Sequence, residues 1–234
     1  MKQKKNIVRF EDLQVGAFSD DIRDGIKGSV FSDNDKGFAT GKTGQEERIK
    51  SGVIGATKYS DIKWADTYTD ICSPWTSSPI QAVNYVSAHD NLTLWDKLTL
   101  SNKDDTEEDR IKMNLLSASI VYTAQGIPFM QAGEEMLRTK PGKKGGFDEN
   151  SYRSPDKVNS IKWDNLLVEE YADTVAYYQG LIAFRKAHAG LRLNTADAVA
   201  ENIQALKLGN NLVAGANIAG FMKVAQAMLE QGII

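Results

Sequence analysis

The sequence is poor in the residues that build disulfide frameworks and zinc sites. Among its 234 residues it has one cysteine, Cys72, and two histidines. A disulfide framework needs paired cysteines, and a structural zinc site needs about four Cys and His ligands, so the composition excludes both. No other ligand cluster or cofactor motif stands out, so we expect no cofactor and assign no metal ligands, which leaves calcium dependence open.

Long apolar runs and a strong excess of one charge are also lacking. The net charge of −3 gives no basic surface of the kind that binds nucleic acid. No span approaches the roughly 18 apolar residues of a membrane helix. The basic opening Met1–Lys5 is followed by Arg9, Glu11 and Asp12 instead of an apolar signal segment. We therefore expect no nucleic-acid partner and no membrane span, and the cytoplasm is favoured as the location.

A phosphate-binding loop is lacking too. Gly41-Lys42-Thr43 ends like such a loop, but the motif needs a glycine five residues before Gly41, and the chain has Lys36 there. The whole stretch from Phe31 to Thr43 is rich in Asp, Gly and Lys, which predicts a solvated loop.

The sequence does have enough apolar residues for a core, at 41%, and it alternates predicted strands with predicted helices. The clearest elements are a short strand near Val15, a buried strand over 82–88, a helix from Thr106 to about Gly126, a strand over 127–130 and a long helix over 165–188. This order is that of β/α units, which favour parallel pairing and right-handed crossovers.

Both predicted helices have an apolar face. The face of the first contains Ile111, Leu115 and Tyr122. The face of the second is predicted to contain Tyr171, Val175, Tyr178, Ile182 and Arg185.

His89 and Asp90 end the predicted strand over 82–88, and residues at that end of a barrel strand point into the functional mouth. An Asp there can accept hydrogen bonds from vicinal sugar hydroxyls, and a neutral His can donate one. The alternative is that Asp90 caps the following helix and His89 packs beneath it. From spacing alone, that alternative is favoured.

Four separate strings resemble type I pullulanases of the α-amylase superfamily, in family order. The match extends from about Lys5 to about Gly209. The strings are VGAFSDDIRDGIKGSVF near the sixth barrel strand, NYVSAHDNLTLWDKL at the fourth family signature, GIPFMQAGEEMLRTK at the eighth strand, and FDENSYRSPDKVNSIKWD in the loop that follows.

The resemblance implies roles for five residues. Asp90 would be the third carboxylate, which stabilises the transition state, and His89 would contact the sugar on the non-reducing side of the scissile bond. Asp148 and Asn150 would contact sugars further along that side. Tyr152 could stack on a sugar or pack in its loop.

Three further residues near these positions are assigned structural roles. Trp95 is expected to pack beneath the site. Glu134 and Glu135 could suggest a catalytic acid, but the resemblance places them after the eighth strand, where hydrogen bonding to the loop is expected.

The resemblance also implies that two catalytic groups are missing. The family nucleophile lies in an Arg-x-Asp signature on the fourth strand, and its acid is a Glu at the end of the fifth. This sequence has neither, so we expect it to begin after the fifth strand. The predicted fold is an α/β, incomplete (β/α)8 TIM barrel of about strands six to eight, with exposed edges and apolar faces. We expect this barrel portion over 1–190, the start of a truncated domain over 191–210, and a helical tail over 211–234.

The tail, LVAGANIAGFMKVAQAMLEQGII, departs from the pullulanase pattern. It resembles the carboxyl terminus of hexameric glutamate dehydrogenases, and Ile218, Met222, Ala225 and Met228 share one helical face. We interpret it as a join of unrelated coding segments or a misassembled sequence. The alternative is an amphipathic helix that arose by chance.

Three functions follow from these patterns. The first is a fragment of a debranching hydrolase that, in its complete form, cleaves α-1,6 bonds of pullulan, glycogen or branched dextrins with retention. The second is a non-catalytic remnant that still binds α-glucan through Asp90. The third, a dehydrogenase relative, is disfavoured because the sequence has no G-x-G-x-x-G fingerprint.

Overall fold

The computed structural model describes residues 15–67, 72–142 and 145–205, which form a helix-rich α/β structure around a small parallel sheet. The strands are β1 (Ala17–Phe18), β2 (Ala82–Asn84) and β3 (Ile127–Pro128). The α-helices are α1 (Asp20–Lys27), α2 (Glu46–Val53), α3 (Leu94–Ser101), α4 (Glu107–Thr123), α5 (Asp156–Asn159), α6 (Glu169–Ala187) and α7 (Ala196–Ala205). Short 3-10 helices connect them at Phe38–Thr40, Trp64–Asp66, Pro79–Gln81, Glu134–Met136, Ser151–Arg153, Trp163–Leu167 and Ala189–Leu191.

The three strands pair in parallel in the order β1-β2-β3, and each pair is connected through helices. Parallel neighbours need such crossovers. The pairing aligns Ala17 with Ala82 and Val83 with Ile127. All three strands therefore end on the same side of the sheet, as the β/α pattern predicts.

The strands are shorter than predicted. β2 ends at Asn84, although apolar content predicts a strand to Ala88, and β3 ends at Pro128, although Met130 was the predicted end. A strand continues only where a neighbour offers backbone groups, and β1 and β3 each contribute two residues to the ladder. Beyond Asn84 the chain leaves the sheet, and Val86 is buried in the core instead.

The main core is formed by helices α1, α3 and α4 and by the segment after β2. Its buried apolar members include Ile22, Ile26, Val86, Leu94, Leu98, Ile120 and Val121. Trp95 packs against this cluster as a partly buried residue, which matches its predicted structural role.

Helix α4 begins and packs as its sequence predicts. Thr106 is the N-cap, and its hydroxyl oxygen accepts a hydrogen bond from the Asp109 backbone N–H at 3.1 Å. Leu115 and Tyr122 are buried against α6, with Ile111 packed at the edge of the same cluster.

Helix α6 is shorter than the predicted span of 165–188. Val168 has extended backbone angles (φ −102°, ψ 130°), which separate α6 from the 3-10 helix Trp163–Leu167. The predicted face is partly right. Four residues of α6 are buried: Tyr178 and Arg185, which were predicted, and Thr174 and Leu181, which were not.

Helix α7 packs on the segment that follows α2. Val199 and Ile203 form a cluster with Ile54, Tyr59 and Ile62. The domain division at residue 190 stays a prediction. The predicted tail over 211–234 lies outside the described residues.

An apolar face of the sheet is exposed. Phe18, Tyr85 and Phe129 follow or end the three strands, with ring centroids 4.8 Å apart for the first pair and 5.2 Å for Phe18 and Phe129. Phe18 and Phe129 are exposed, as is Ile127 on β3. Such a face matches the expectation of unburied apolar surface.

Candidate functional site

A cleft of about 790 Å³ lies among the segments that follow the three strands. Its volume falls in the range of small-molecule sites. The segment after α1, the turn after β2 and the loop after β3 each contribute to it, with Val30, Phe31, Asp33, Asp90, Asn91, Leu92, Leu100, Gly145, Gly146, Phe147, Glu149 and Asn150 as the lining residues.

His89 and Asp90 both point into solvent. Their side chains are 87% and 75% exposed, and His89 Nε2 lies 3.3 Å from Asp90 Oδ1. The alternative in which Asp90 caps the next helix is wrong, because Thr93 is the N-cap of α3 and accepts the Asp96 backbone N–H at 3.1 Å. The alternative in which His89 packs beneath that helix is also wrong. Both side chains are free to meet a ligand.

The loop after β3 carries the other predicted contacts. The Asp148 carboxylate accepts a hydrogen bond from the Ser154 hydroxyl and another from the Asn150 backbone N–H at 3.2 Å. Asn150 is exposed and lines the cleft together with Asp90. Tyr152 is 73% exposed and has the Arg153 guanidinium 5.2 Å from its ring centroid.

The structure brings Asp90 and Asn150 together in one cleft. His89, Asp148 and Tyr152 lie next to these two residues in the chain but do not line the cleft. Tyr152 does not pack inside its loop, so stacking on a sugar is the predicted role that remains for it.

Phe31 is a cleft residue that sequence reasoning missed. Its side chain is 88% exposed and lines the cleft with Asp90. The buried Lys97 fixes the segment after Phe31, because its ammonium donates hydrogen bonds to the carbonyls of Ser32 at 2.5 Å and Asp33 at 3.1 Å. An aromatic residue inside an otherwise polar, glycine-rich stretch was the available signal.

Glu134 and Glu135 have different partners. Glu135 accepts the Gly133 backbone N–H at 3.0 Å, as predicted for hydrogen bonding to the loop. Glu134 is buried and accepts hydrogen bonds from Ser87 Oγ at 2.5 Å and from the Tyr178 hydroxyl at 3.2 Å. It therefore connects the loop to the end of β2 and to α6, which the sequence did not predict.

Burial shifts the pKa of two core groups, Glu134 and Lys27. It raises the pKa of Glu134 from 4.5 to about 7, with hydrogen bonds from Ser87 and attraction to Lys27 acting in the opposite direction. Burial, together with repulsion from Arg23, lowers the pKa of Lys27 from 10.5 to about 7, although attraction to Asp24 and Glu134 opposes the shift.

We predict that Glu134→Gln makes stability less dependent on pH between 4.5 and 7. In this window folded Glu134 keeps a proton that the unfolded chain releases, so its contribution to stability is complete below pH 4.5 and is lost as pH rises through 7. Between pH 4.5 and 7, the free energy of unfolding should fall by about 3 kcal/mol more for the wild type than for the variant. Urea unfolding followed by tryptophan fluorescence at pH 4.5, 6 and 7.5 measures the difference.

The matched control for this experiment is Glu149→Gln, whose side chain is exposed. It should follow the wild-type pH dependence. If the free energy of unfolding changed equally with pH in the wild type and in Glu134→Gln, the assignment of the raised pKa to Glu134 would be wrong.

No group of three or more His, Cys, Asp or Glu side chains in residues 15–67, 72–142 and 145–205 could hold a metal ion. In the same part of the chain, no helix is long and apolar enough to cross a membrane.

Several known proteins similar to this chain are pullulanases. No protein-family model matches it. A pullulanase of Bacillus subtilis (strain 168) is 33% identical over 200 residues, which are 86% of this chain and 26% of that protein. A solved pullulanase structure from Bacillus acidopullulyticus superposes with a TM-score of 0.71 and 42% identity, over 82% of this chain and 21% of that one.

A second solved structure carries ligand information. The pullulanase from Paenibacillus barengoltzii, in complex with maltohexaose and α-cyclodextrin, gives a TM-score of 0.69 and 43% identity, over 78% of this chain and 26% of that one. The chain thus spans about a quarter of the length of these relatives.

Proposed function

Because most of this chain is homologous to one segment of pullulanases, we propose that it is part of a debranching glycoside hydrolase. The complete enzyme would cleave α-1,6 bonds of pullulan, glycogen or branched dextrins by a retaining mechanism. The described residues would supply strands six to eight of a (β/α)8 barrel, in the order β1, β2, β3. Parallel pairing, helical crossovers and a cleft on the side where all three strands end support this assignment.

Asp90 carries the proposal, because its exposed carboxylate lies in the turn that follows β2 and lines the cleft. It would accept hydrogen bonds from vicinal sugar hydroxyls and favour the ring as positive charge develops toward an oxocarbenium ion. The exposed His89 would donate a hydrogen bond to the same sugar.

The loop after β3 would extend the site along the non-reducing side. Asn150 offers an exposed amide on the cleft wall. Asp148 uses both carboxylate oxygens within the loop, but each oxygen has a second acceptor position for a sugar hydroxyl. The exposed rings of Tyr152 and Phe31 would provide apolar faces for sugars.

Cleavage by a retaining glycosidase needs a nucleophile and an acid about 5 to 5.5 Å apart. The 234 residues contain no Arg-x-Asp in a strand-like context and no matching acid, so we propose that this chain binds glucan without cleaving it. Its function alone would then be that of a non-catalytic glucan-binding remnant. Binding of NAD(P) would instead favour the third function, in which the chain is a dehydrogenase relative.

We predict that maltohexaose binds the chain with a Kd of about 1 mM and that Asp90→Ala weakens binding at least about tenfold, because charge-assisted hydrogen bonds to the sugar are lost. Phe31→Ala should weaken it several-fold, about 1 kcal/mol, through lost contact area. Isothermal titration calorimetry or NMR titration measures both changes.

The control for this measurement is Asp164→Ala, which removes an exposed carboxylate that does not line the cleft. It should bind like the wild type. Equal affinities for Asp90→Ala and Asp164→Ala, or no binding by the wild type, would contradict the proposed site.

A further inference from the structure

The turn from Ser87 to Asn91, which carries the exposed His89 and Asp90, is held at both ends by one loop. At its start, Ser87 Oγ donates a 2.5 Å hydrogen bond to the buried Glu134. At its end, the ammonium of Lys140 donates a 3.0 Å hydrogen bond to the Asn91 carbonyl. Glu134 and Lys140 both belong to the segment between β3 and α5, so a single loop fixes both flanks of the turn.

Lys140 is the more connected of the two residues. It is 1% exposed, and its backbone N–H donates to the fully buried Asp96 at 2.9 Å. Its backbone carbonyl accepts the Asp148 N–H at 2.7 Å. One residue therefore joins the Asp90 turn, the first turn of α3 and the loop that carries Asp148.

The charge of Lys140 also interacts with the carboxylates that are proposed to contact sugar. Burial lowers the pKa of the Lys140 ammonium, while attraction to Asp96, Asp148 and Asp90 raises it. The group thus lies within electrostatic range of both carboxylates that are proposed to contact sugar. No direct ion pair to Asp90 is needed, because the hydrogen bond goes to the neighbouring Asn91 carbonyl.

Asn91 has a left-handed backbone conformation, with φ of +64°. Asparagine adopts this conformation more readily than most non-glycine residues, and the hydrogen bond from Lys140 to its carbonyl helps to hold it. Asp90 precedes this residue directly, so a change in the Asn91 backbone would redirect its carboxylate.

We propose that Glu134 and Lys140 are positioning residues that clamp the 87–91 turn from both ends and so set the direction of Asp90 toward the bound sugar. This inference rests on the proposed role of Asp90 in glucan binding. Neither clamp residue lines the cleft. The side-chain hydrogen bonds that connect them to the turn are those of Glu134 with Ser87 and of Lys140 with the Asn91 carbonyl.

A purely structural role is the competing explanation, since any buried lysine affects stability. The two explanations differ in a double-mutant cycle. If Lys140 acts through Asp90, removing it matters only while Asp90 is present. If it only stabilises the fold, its loss affects affinity equally with and without Asp90.

The test compares maltohexaose affinities of the full chain. Lys140→Met should weaken binding about tenfold, and Lys140→Arg should return it to within about threefold, because a cation can again reach the Asn91 carbonyl. In the Asp90→Ala background, Lys140→Met should change affinity by less than about twofold. Glu134→Leu should resemble Lys140→Met, whereas Glu134→Gln, which keeps an acceptor for Ser87, should resemble the wild type.

Arg110→Met is the matched control. Arg110 also donates to backbone carbonyls, those of Asn102 and Asp105, but these residues do not line the cleft. The variant should bind like the wild type. Equal losses in Arg110→Met and Lys140→Met, or equal effects of Lys140→Met in both Asp90 backgrounds, would overturn the clamp.

A second measurement separates failure of the clamp from failure of the proposed function. Backbone amide shifts of His89, Asp90 and Asn91 should move in Lys140→Met and stay in place in Arg110→Met, with no glucan present. Unchanged shifts would overturn the clamp even if the wild type binds no sugar. Should Lys140→Met fail to fold, Glu134→Leu and the Lys140→Arg rescue provide the same comparison.

Discussion

Incubated with pullulan, the purified 234-residue chain is expected to release no reducing sugar above the uncatalysed rate. Asp90 can stabilise a developing oxocarbenium ion, but it cannot also act as nucleophile and proton donor. General acid catalysis alone contributes about 10²- to 10⁴-fold, and without a nucleophile the covalent glycosyl-enzyme intermediate of a retaining mechanism cannot form. The difference from a complete pullulanase should therefore be many orders of magnitude. A reducing-sugar assay and chromatography of the products measure it.

The positive control is the pullulanase of Bacillus acidopullulyticus on the same substrate. The negative control is Asp90→Ala in this chain. Sugar release that persists equally in Asp90→Ala indicates a contaminating enzyme. Release by the wild type that disappears in Asp90→Ala would contradict our proposal, because the chain would then contain a complete catalytic set.

Arg185→Met is expected to cost about 3 to 5 kcal/mol of unfolding free energy, the largest single effect on stability that we predict. The buried Arg185 on α6 donates to the carbonyls of Tyr122 at 3.0 Å, Ala124 at 2.6 Å and Gly126 at 2.7 Å. These carbonyls lie at the end of α4 and just after it, where helices leave acceptors without partners. A methionine fills similar volume but leaves all three unpaired.

That loss is a large share of the 5 to 15 kcal/mol available to a typical domain. Urea unfolding monitored by circular dichroism measures it. Arg192→Met is the matched control, because the exposed Arg192 donates to one carbonyl, that of Lys186, at 3.2 Å. It should change stability by less than about 0.5 kcal/mol. Equal effects of the two variants would show that the carbonyl contacts of Arg185 contribute little.

The sequence predicted the elements whose signals are local. The N-cap of α4 follows from Thr106 and Asp109, which lie within one helical turn of each other, and this prediction is confirmed. The ends of the strands could not be read in the same way. Their length depends on how many backbone groups β1 and β3 offer across the sheet, and apolar composition carries no information on that.

The same contrast applies to the candidate site. Asp90 and Asn150 were identified from motifs, and they do line one cleft. Lys97 and Lys140 lie within the same motifs, yet their hydrogen bonds reach carbonyls about 50 or more positions away in the chain. A lysine in a sequence looks like a solvated charge. Only the tertiary structure reveals that these two are buried and directed at backbone carbonyls.

The hydrogen bonds of Lys140 have a consequence for protein engineering. They connect residues 91 and 96 to residues 140 and 148, so the two stretches must be compatible with each other in any recombined sequence. In a recombination library, a crossover between residues 91 and 148 would combine a turn from one parent with a loop from another. Crossovers placed before residue 91 or after residue 148 would keep these contacts within one parental segment.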